Sequence, residues 1–196
     1  MTKSELRTTY LQMRSDLSGD ELTVKSRQIA DRFFENIDLK TIRLLHIFIS
    51  IQKLKEIETS YIYERIWREF EQIKMVVPRV DFESGEIKSV ELTPNSEFIE
   101  NVWGIREPTN GERIAAADID FVLVPLLCFD KRGYRVGYGK GFYDRFLSKC
   151  RPDCLKVGLS YFPPVDIIDD VSETDVKLDM CVTPEAILTT KKIKRE

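Results

Sequence analysis

Histidine and long hydrophobic runs are both scarce in this sequence. His46 is the only histidine among 196 residues, so neither a histidine-based triad nor a histidine-rich zinc site is expected. No apolar run approaches the roughly 18 residues that cross a membrane. The first ten residues, MTKSELRTTY, are charged, unlike a signal peptide. These absences predict a cytoplasmic protein without a membrane partner, in which His46 is a hydrogen-bonded core residue.

Cysteine and net charge exclude further classes of site. The chain has four cysteines, and its only close pair, Cys150 and Cys154, has no histidine near it. Zinc sites usually combine two such pairs, or one pair with two histidines, so the cysteines are expected to be reduced packing residues. Lysine and arginine total 30, and aspartate and glutamate total 33, a net charge of −3. This mild acidity does not favour nucleic-acid binding, which needs a strong basic field.

Helical and apolar segments alternate along the chain. Apolar residues at helical spacing predict four helices: 3–16, 18–36, 60–74 and about 141–149. Short apolar or extended runs predict the strands: 41–50, 75–78, two pieces joined at 84–85, 119–125, 154–160 and 178–184. Ser18 and Thr59 are the expected N-caps of the second and third helices.

This alternation is typical of an α/β fold with a mostly parallel sheet, because continuous apolar strands are buried on both faces. The sequence therefore predicts a single-domain, three-layer open sheet with helices on both faces. The predicted domain covers residues 1–190, and residues 191–196 are expected to form a solvated tail.

Glycine is also scarce, and it is concentrated in one place. Four of the nine glycines lie within nine residues of the stretch RGYRVGYGKGFYDRFL, 132–147. Glycine allows positive φ and a close approach of the backbone to a ligand, and successive amides can then hold an anion. Lys140 and Arg135 add cations, and the start of the following helix adds partial positive charge. The stretch also follows a predicted strand, where open sheets bind ligands.

The glycine spacing differs from that of the two commonest phosphate loops. A Walker loop reads G-x4-G-K-[ST], but Gly141 and Phe142 follow Lys140 here. The dinucleotide fingerprint reads G-x-G-x-x-G, whereas this stretch has G-x-G-x-G. These residues alone leave two interpretations open, an anion-binding cradle and a tight structural turn.

With its flanks, the stretch resembles a family signature. FDKRGYRVGYGKGFYDRFL, 129–147, is similar to the segment FD-x-x-G-x-R-[LI]-G-x-G-x-G-[YF]-Y-D-x-x-L of the 5-formyltetrahydrofolate cyclo-ligase (methenyltetrahydrofolate synthetase) family. Other segments resemble the family in the same order: KSELR (3–7), FISIQKLKEIET (48–59), GIREP (104–108), DFVLVPLLCFD (120–130) and ETDVKLDMCVTPE (173–185). Together these matches cover residues 3–185.

The resemblance implies an enzyme that closes a ring with ATP. Such enzymes convert 5-formyltetrahydrofolate to 5,10-methenyltetrahydrofolate and release ADP and phosphate, with Mg²⁺ present. The γ-phosphoryl group passes to the formyl oxygen, N10 attacks the formyl carbon of the iminium phosphate, and phosphate leaves. The implied fold is of the NagB/RpiA/CoA-transferase-like type, the implied partners are small-molecule substrates, and a monomer is expected.

The family motifs also assign roles to numbered residues of this chain. The resemblance implies that the catalytic residues are Lys140, which lies nearest to the transferred phosphoryl group, Arg135 and Tyr143. It implies an ATP site formed by Lys3, Arg7, Arg135, Gly137, Tyr138, Gly139, Lys140, Gly141, Phe142 and Tyr143. It implies folate contacts from Ile49, Ile51, Gln52, Glu56, Trp103, Tyr138, Lys140 and Phe142. The implied magnesium ligands are Asp144 and Asp179, with Asp130 and Asp175 in reserve.

Two departures from the family pattern keep alternatives open. Thr174 stands where the family usually has histidine, and an extra residue precedes Glu56, which makes the folate contacts from 49 to 52 uncertain by one position. One alternative is an enzyme that uses a similar sheet for phosphosugars or coenzyme A esters. The other is a folate or nucleotide sensor without catalytic activity. Trp103 has two interpretations as well, a pterin-stacking residue and a core residue.

Overall fold

The structure is a computed structural model that describes residues 1–101 and 104–190. The helices in this part of the chain are α1 (Lys3–Asp16), α2 (Gly19–Asn36), α3 (Ser60–Glu69) and α4 (Phe142–Leu147). The strands are β1 (Leu44–His46), β2 (Lys74–Asp81), β3 (Glu86–Leu92), β4 (Phe98–Glu100), β5 (Arg106–Pro108), β6 (Arg113–Ile114), β7 (Phe121–Pro125), β8 (Cys128–Phe129), β9 (Arg135–Val136), β10 (Leu155–Leu159), β11 (Met180–Val182) and β12 (Ile187–Thr189). Trp103 and the predicted tail at 191–196 lie outside the described residues.

Eight strands form one sheet in the order β12-β11-β10-β7-β1-β2-β3-β6. The five central strands, from β11 to β2, run parallel. On one side β12 pairs antiparallel with β11, and on the other β3 pairs antiparallel with β2 and β6 with β3. The prediction of a mostly parallel sheet is confirmed. Residues 121–124 of β7 are completely buried, which explains why this strand has no polar break.

The core has two layers, one on each face of the sheet. On one face, Ile29 and Phe33 of α2 and Ile62 and Ile66 of α3 pack against alternate strand residues. On the other face, α4 contributes Phe146 and Leu147 to a smaller cluster. Helix α1 packs through Leu6 against the two-stranded β8–β9 sheet. Helices therefore lie on both faces as predicted, and none of the described ones is long and apolar enough to cross a membrane.

The two predicted N-caps have different outcomes. The Ser18 hydroxyl accepts from the Glu21 amide at 3.2 Å, and the Glu21 carboxylate accepts from the Ser18 amide at 2.9 Å, so this capping box is confirmed. Thr59 occupies the N-cap position of α3 as predicted, but its hydroxyl donates to the Phe48 carbonyl at 2.7 Å and makes no capping bond to the helix. Thr59 instead ties the segment before α3 to the chain leaving β1.

His46 ends β1 and is completely buried against α4. Its ring centroid lies 4.6 Å from that of Phe146 and 6.0 Å from that of Tyr143. Neither ring nitrogen has a hydrogen-bond partner among the described residues. The expectation that His46 is a core residue is confirmed, but the expectation that it is hydrogen-bonded is wrong. Burial without a partner lowers the pKa of the imidazole to about 3.

Replacing His46 by leucine is expected to make the protein less sensitive to mild acid. The pKa is depressed in the folded state, so only the unfolded chain takes up a proton as the pH falls below about 6.5. From pH 7 to pH 5 this linkage removes about 2 kcal/mol from the free energy of unfolding of the unmodified protein. Urea denaturation at both pH values measures the loss, which His46→Leu should abolish. An equal loss in both proteins would contradict the prediction.

Candidate active site

The glycine loop, residues 137–141, connects β9 to α4. Gly139 and Gly141 have φ values of 85° and 68°, in the left-handed region that favours glycine. A Cβ atom at Gly139 would lie 3.1 Å from the Arg7 guanidinium carbon, whereas one at Gly137 would meet nothing within 4 Å. Gly139 therefore allows both the turn and the close packing of Arg7 beneath it.

Helix α1 brings its two predicted cations to this region. Lys3 and Arg7 are one turn apart and lie on the same face. Arg7 Nε donates to the Gly137 carbonyl at 2.9 Å, and Lys3 forms an ion pair with Asp175. Both cations thus lie against the segments that carry the family signature and its closing motif.

Arg135 and Asp144 form an ion pair beside the loop. Arg135 Nη2 donates to Asp144 Oδ1 at 2.8 Å, and Nη1 donates to the Val176 carbonyl at 2.5 Å. The Arg135 side chain is only 6% exposed. Burial lowers the pKa of its guanidinium, while the carboxylates of Asp144 and Asp175 act in the opposite direction. Asp144 and Asp175 therefore both act on one buried cation.

The other predicted carboxylates lie in different surroundings. Asp179 is buried, and its Oδ2 accepts from the Lys156 amide at 2.9 Å, near the amino-terminal start of β10. Asp130 is completely buried and accepts from the Arg132 guanidinium and the Tyr134 amide, so it organises a turn. Within the described ranges there is no group of three His, Cys, Asp or Glu residues placed to hold a metal ion. The carboxylate of Asp175, like that of Asp144, favours the charged form of Arg135 and raises its pKa.

Lys140, Phe142 and Tyr143 surround the end of the loop differently. The Lys140 side chain is exposed, and across the described part of the chain it has no hydrogen bond or ion pair. The Phe142 ring meets Phe82 of the β2–β3 hairpin edge-on, with centroids 5.9 Å apart. The Tyr143 hydroxyl is buried without a partner in the same described residues. Burial raises the pKa of Tyr143, so its hydroxyl is a neutral donor for a ligand group.

Glu56, the predicted folate contact, is held by the loop itself. Its Oε1 accepts from the Tyr138 hydroxyl at 2.7 Å, and its Oε2 accepts from the Ile51 amide at 2.9 Å. The Tyr138 hydroxyl in turn accepts from Arg14 Nη2 at 2.7 Å. Sequence reasoning missed Arg14, although it lies two helical turns after Arg7 and so projects from the same face of α1.

The residues predicted to contact folate in the segment between β1 and Glu56 lie in different environments. Ile49 is partly buried and packs against the main core, and Ile51 contributes its amide to Glu56. Gln52 is exposed and begins a short 3₁₀ turn, Gln52–Leu54. The structure therefore places Ile51 at the Glu56 carboxylate and leaves Gln52 at the surface.

A small cavity lies at the carboxyl ends of β1, β7 and β10. Its lining consists of Arg14, Phe48, Glu56, Ile57, Pro125, Leu126, Leu127, Leu159, Tyr161 and Phe162. Its volume is about 10 Å³, room for a single water molecule. Arg14 and Glu56 line this cavity, and both bond to the Tyr138 hydroxyl. This is the end of a parallel sheet where α/β proteins bind ligands.

Comparison with known proteins decides the family. The model of the 5-formyltetrahydrofolate cyclo-ligase family matches residues 1–184. The chain belongs to this family. A cyclo-ligase from mouse is 31% identical over 156 residues, which cover 76% of this chain and 74% of the mouse protein. The cyclo-ligase of Escherichia coli K12 is 26% identical over 90% of this chain and 97% of its own length.

Solved structures of the cyclo-ligase family share the fold. The 5,10-methenyltetrahydrofolate synthetase of Aquifex aeolicus superposes with a TM-score of 0.82 at 28% identity, covering 100% of this chain and 96% of its own. That of Mycoplasma pneumoniae superposes with a TM-score of 0.75 at 27% identity, covering 94% and 99%. The α/β fold and the enzyme class expected from the resemblance are therefore both confirmed: the chain is a folate-metabolising ligase of the cyclo-ligase family.

Proposed function

We propose that this protein catalyses the ATP- and Mg²⁺-dependent cyclisation of 5-formyltetrahydrofolate to 5,10-methenyltetrahydrofolate, with release of ADP and phosphate. The observation that carries the proposal is the bond from Tyr138 in the glycine loop to Glu56 at the cavity. This bond joins a cationic loop suited to phosphates directly to a carboxylate suited to a pterin ring. We further propose that the protein acts as a cytoplasmic monomer.

The folate would enter at the cavity lined by Glu56. The carboxylate of Glu56 is an acceptor that matches the N–H donors of a pterin ring. Because the cavity holds about 10 Å³ in this state, its walls must move apart to admit a pterin ring. Aromatic residues of the cavity wall, Phe48 and Phe162, then supply apolar surface beside the ring.

The triphosphate would lie along the glycine loop. Lys140 is exposed and unpaired within the described residues, so its ammonium can approach the γ-phosphoryl group without breaking an existing bond. Arg7 lies beneath Gly139, and Lys3 is nearby through Asp175. Loop amides, two α1 cations and Lys140 together neutralise an anionic ligand.

The chemistry requires charge stabilisation and no protein nucleophile. The formyl oxygen attacks the γ-phosphorus as the bond to the ADP oxygen breaks, giving an iminium phosphate and ADP. N10 then adds to the formyl carbon and loses its proton, and the C–O bond breaks to release phosphate. Lys140 stabilises charge on the transferring group, and the buried Tyr143 hydroxyl can donate to a phosphate oxygen. Correct placement of the two substrates supplies most of the remaining acceleration.

The residues present fit a magnesium ion. Magnesium needs only one or two carboxylates together with phosphate oxygens and water. Asp144 bonds to Arg135, and Asp175 directly precedes Val176, whose backbone bonds to both Asp144 and Arg135. The side chains of Asp144 and Asp175 are 29% and 16% exposed, so water and phosphate can reach them. When bound, the ion neutralises phosphate charge. A role for Asp179 stays a prediction, since its carboxylate bonds to the backbone at the start of β10.

Three asparagine variants distinguish these carboxylates. Asp144→Asn and Asp175→Asn should raise the Mg²⁺ concentration for half-maximal turnover by about tenfold or more, because each removes one anionic ligand. Mn²⁺ binding in the presence of ATP, followed by electron paramagnetic resonance, should weaken in parallel. Asp179→Asn tests the role that the resemblance implies for this residue, and it should weaken Mn²⁺ binding only if Asp179 is also a ligand. If Asp179→Asn weakens Mn²⁺ binding and Asp175→Asn does not, the assignment to Asp175 is wrong.

A spectrophotometric assay tests the proposed reaction itself. Purified protein with MgATP and 5-formyltetrahydrofolate should produce the methenyl chromophore and one ADP for each molecule formed. Absence of the chromophore would contradict the proposal. Binding of both ligands without turnover would instead identify a sensor, the alternative that Thr174 leaves open. Thr174 is exposed, and its hydroxyl bonds to that of Ser172 at 3.1 Å.

A further inference from the structure

Arg14 is a buried cation in the cavity wall that lies outside the family segments quoted above. It is 5% exposed and lies near the end of α1. Its Nη2 donates to the Tyr138 hydroxyl at 2.7 Å, and its guanidinium carbon lies 5.5 Å from the centre of the Tyr138 ring. A buried guanidinium is costly unless an opposite charge and hydrogen bonds compensate for its lost hydration. The compensating charge here is Glu56, reached through the tyrosine hydroxyl.

Three separate segments meet in this chain of hydrogen bonds. Arg14 comes from α1, Tyr138 from the glycine loop, and Glu56 from the segment that follows β1. The bonds from Arg14 to Tyr138 and from Tyr138 to Glu56 are both 2.7 Å long. The tyrosine hydroxyl accepts the bond from Arg14 and donates the bond to Glu56, so the donors and acceptors of this hydrogen-bond network follow one order. The Ile51 amide holds the second carboxylate oxygen.

We infer that Arg14 is a positioning residue for folate binding, which acts through the Tyr138 hydroxyl to hold the Glu56 carboxylate ready for the pterin ring. The inference rests on the proposed function, in which Glu56 receives the folate. It goes further than the proposed function, because Tyr138, which holds Glu56, belongs to the loop that receives ATP. Occupation of the folate cavity and the arrangement of the phosphate loop are therefore coupled through one side chain.

The electrostatics of Glu56 support this role. Burial raises the pKa of its carboxyl group, while Tyr138, the Ile51 amide and Arg14 lower it. Burial raises the pKa of the Tyr161 and Tyr143 hydroxyls, and the charge of Glu56 acts in the same direction. Folate recognition needs the ionised form, so binding is present above the pKa of Glu56 and is lost as the pH falls through it. Removing Arg14 moves that loss to higher pH.

Two variants test the inference, and each removes a different member of the hydrogen-bond network that joins Arg14 to Glu56. Arg14→Met removes the cation and keeps much of the side-chain volume, and Tyr138→Phe removes only the hydroxyl. Each should raise the dissociation constant for 5-formyltetrahydrofolate about tenfold, measured by calorimetry without ATP. Arg14→Met should also move the acid limb of folate binding upward by about one pH unit. Because the two residues act in series, the double variant should bind no more weakly than the weaker single variant.

The controls separate positioning from general stability and from failure of the proposed reaction. Arg68→Met changes an exposed arginine of α3 and should leave folate affinity unchanged. Arg14→Lys should recover part of the affinity and of the pH profile, and it replaces Arg14→Met if that variant does not fold. Unaltered affinity at every pH in Arg14→Lys and Tyr138→Phe would overturn the inference. If the unmodified protein binds folate but forms no methenyl product, the proposed reaction fails while the binding measurements still decide the role of Arg14.

Discussion

Lys140→Ala is expected to reduce turnover about a thousandfold or more while the fold stays intact. Removing one preorganised group that stabilises transition-state charge typically costs a factor of about 10² to 10³, and cations on a transferring phosphoryl group contribute about 10³ to 10⁵. The Lys140 side chain is exposed and unpaired in the described residues, so its loss removes no contact from the folded state. The kcat for methenyl formation should fall far more than the KM for folate rises.

Lys149→Ala is the matched control for this prediction. Lys149 is exposed in the same part of the chain, and it pairs with Glu86 at 2.6 Å on the surface. Surface pairs of this kind contribute little to stability, about 0 to 1 kcal/mol. Both variants should unfold within a few degrees of the unmodified protein, whereas only Lys140→Ala should lose turnover. Near-normal kcat in Lys140→Ala would remove this lysine from phosphoryl transfer.

Arg135→Met is expected to have the largest effect on stability, a loss of about 3 kcal/mol in the free energy of unfolding. Truncating one partner of a buried ion pair typically costs about 3–5 kcal/mol, because the other charge stays buried without compensation. The lower value applies because Asp144 is 29% exposed and keeps the Val176 amide as a donor. Turnover should fall as well, since Asp144 loses the partner that orients it. Urea denaturation measures the first effect and the methenyl assay the second.

Two comparisons make the Arg135 prediction specific. Arg135→Lys keeps the charge but loses the planar fork that bonds Asp144 and the Val176 carbonyl together, so it should recover only part of the stability. Arg151→Met removes a surface arginine, 39% exposed, that pairs with Asp120 and Asp153, and should cost about 1 kcal/mol or less. If Arg135→Met and Arg151→Met lose equal free energy of unfolding, the buried ion pair contributes no more to stability than the exposed one.

Features that depend on local spacing could be predicted from the sequence. The continuous apolar run of β7 and the capping box at Ser18 both follow from neighbouring residues, and the parallel sheet follows from the alternation of strands with helices. The glycine cluster likewise identified the loop, because only glycine adopts the φ values found at positions 139 and 141 at low cost.

Features that depend on distant parts of the chain could not be predicted. Thr59 occupies the predicted N-cap position, but its hydroxyl bonds to the Phe48 carbonyl, eleven positions away. Asp175 and Asp179 lie in one short segment, and only the folded chain shows that Asp175 acts on Arg135. No local pattern singles out Arg14, because its partner, the Tyr138 hydroxyl, lies 124 positions away. Each of these contacts joins residues that are far apart in the sequence, and no pattern among neighbouring residues indicates which distant segments meet.

The ion pair from Lys3 to Asp175 spans 172 positions of the chain, and the bond from Arg7 to Gly137 spans 130. The phosphate cradle is therefore assembled from the first few residues and the last third of the polypeptide. Closing such long loops is slow, because chain entropy is lost before the contacts form. During synthesis, a ribosome-bound chain can fold much of the central sheet before its cradle is complete. Catalytic competence should consequently appear as a late event, after most of the protein has emerged.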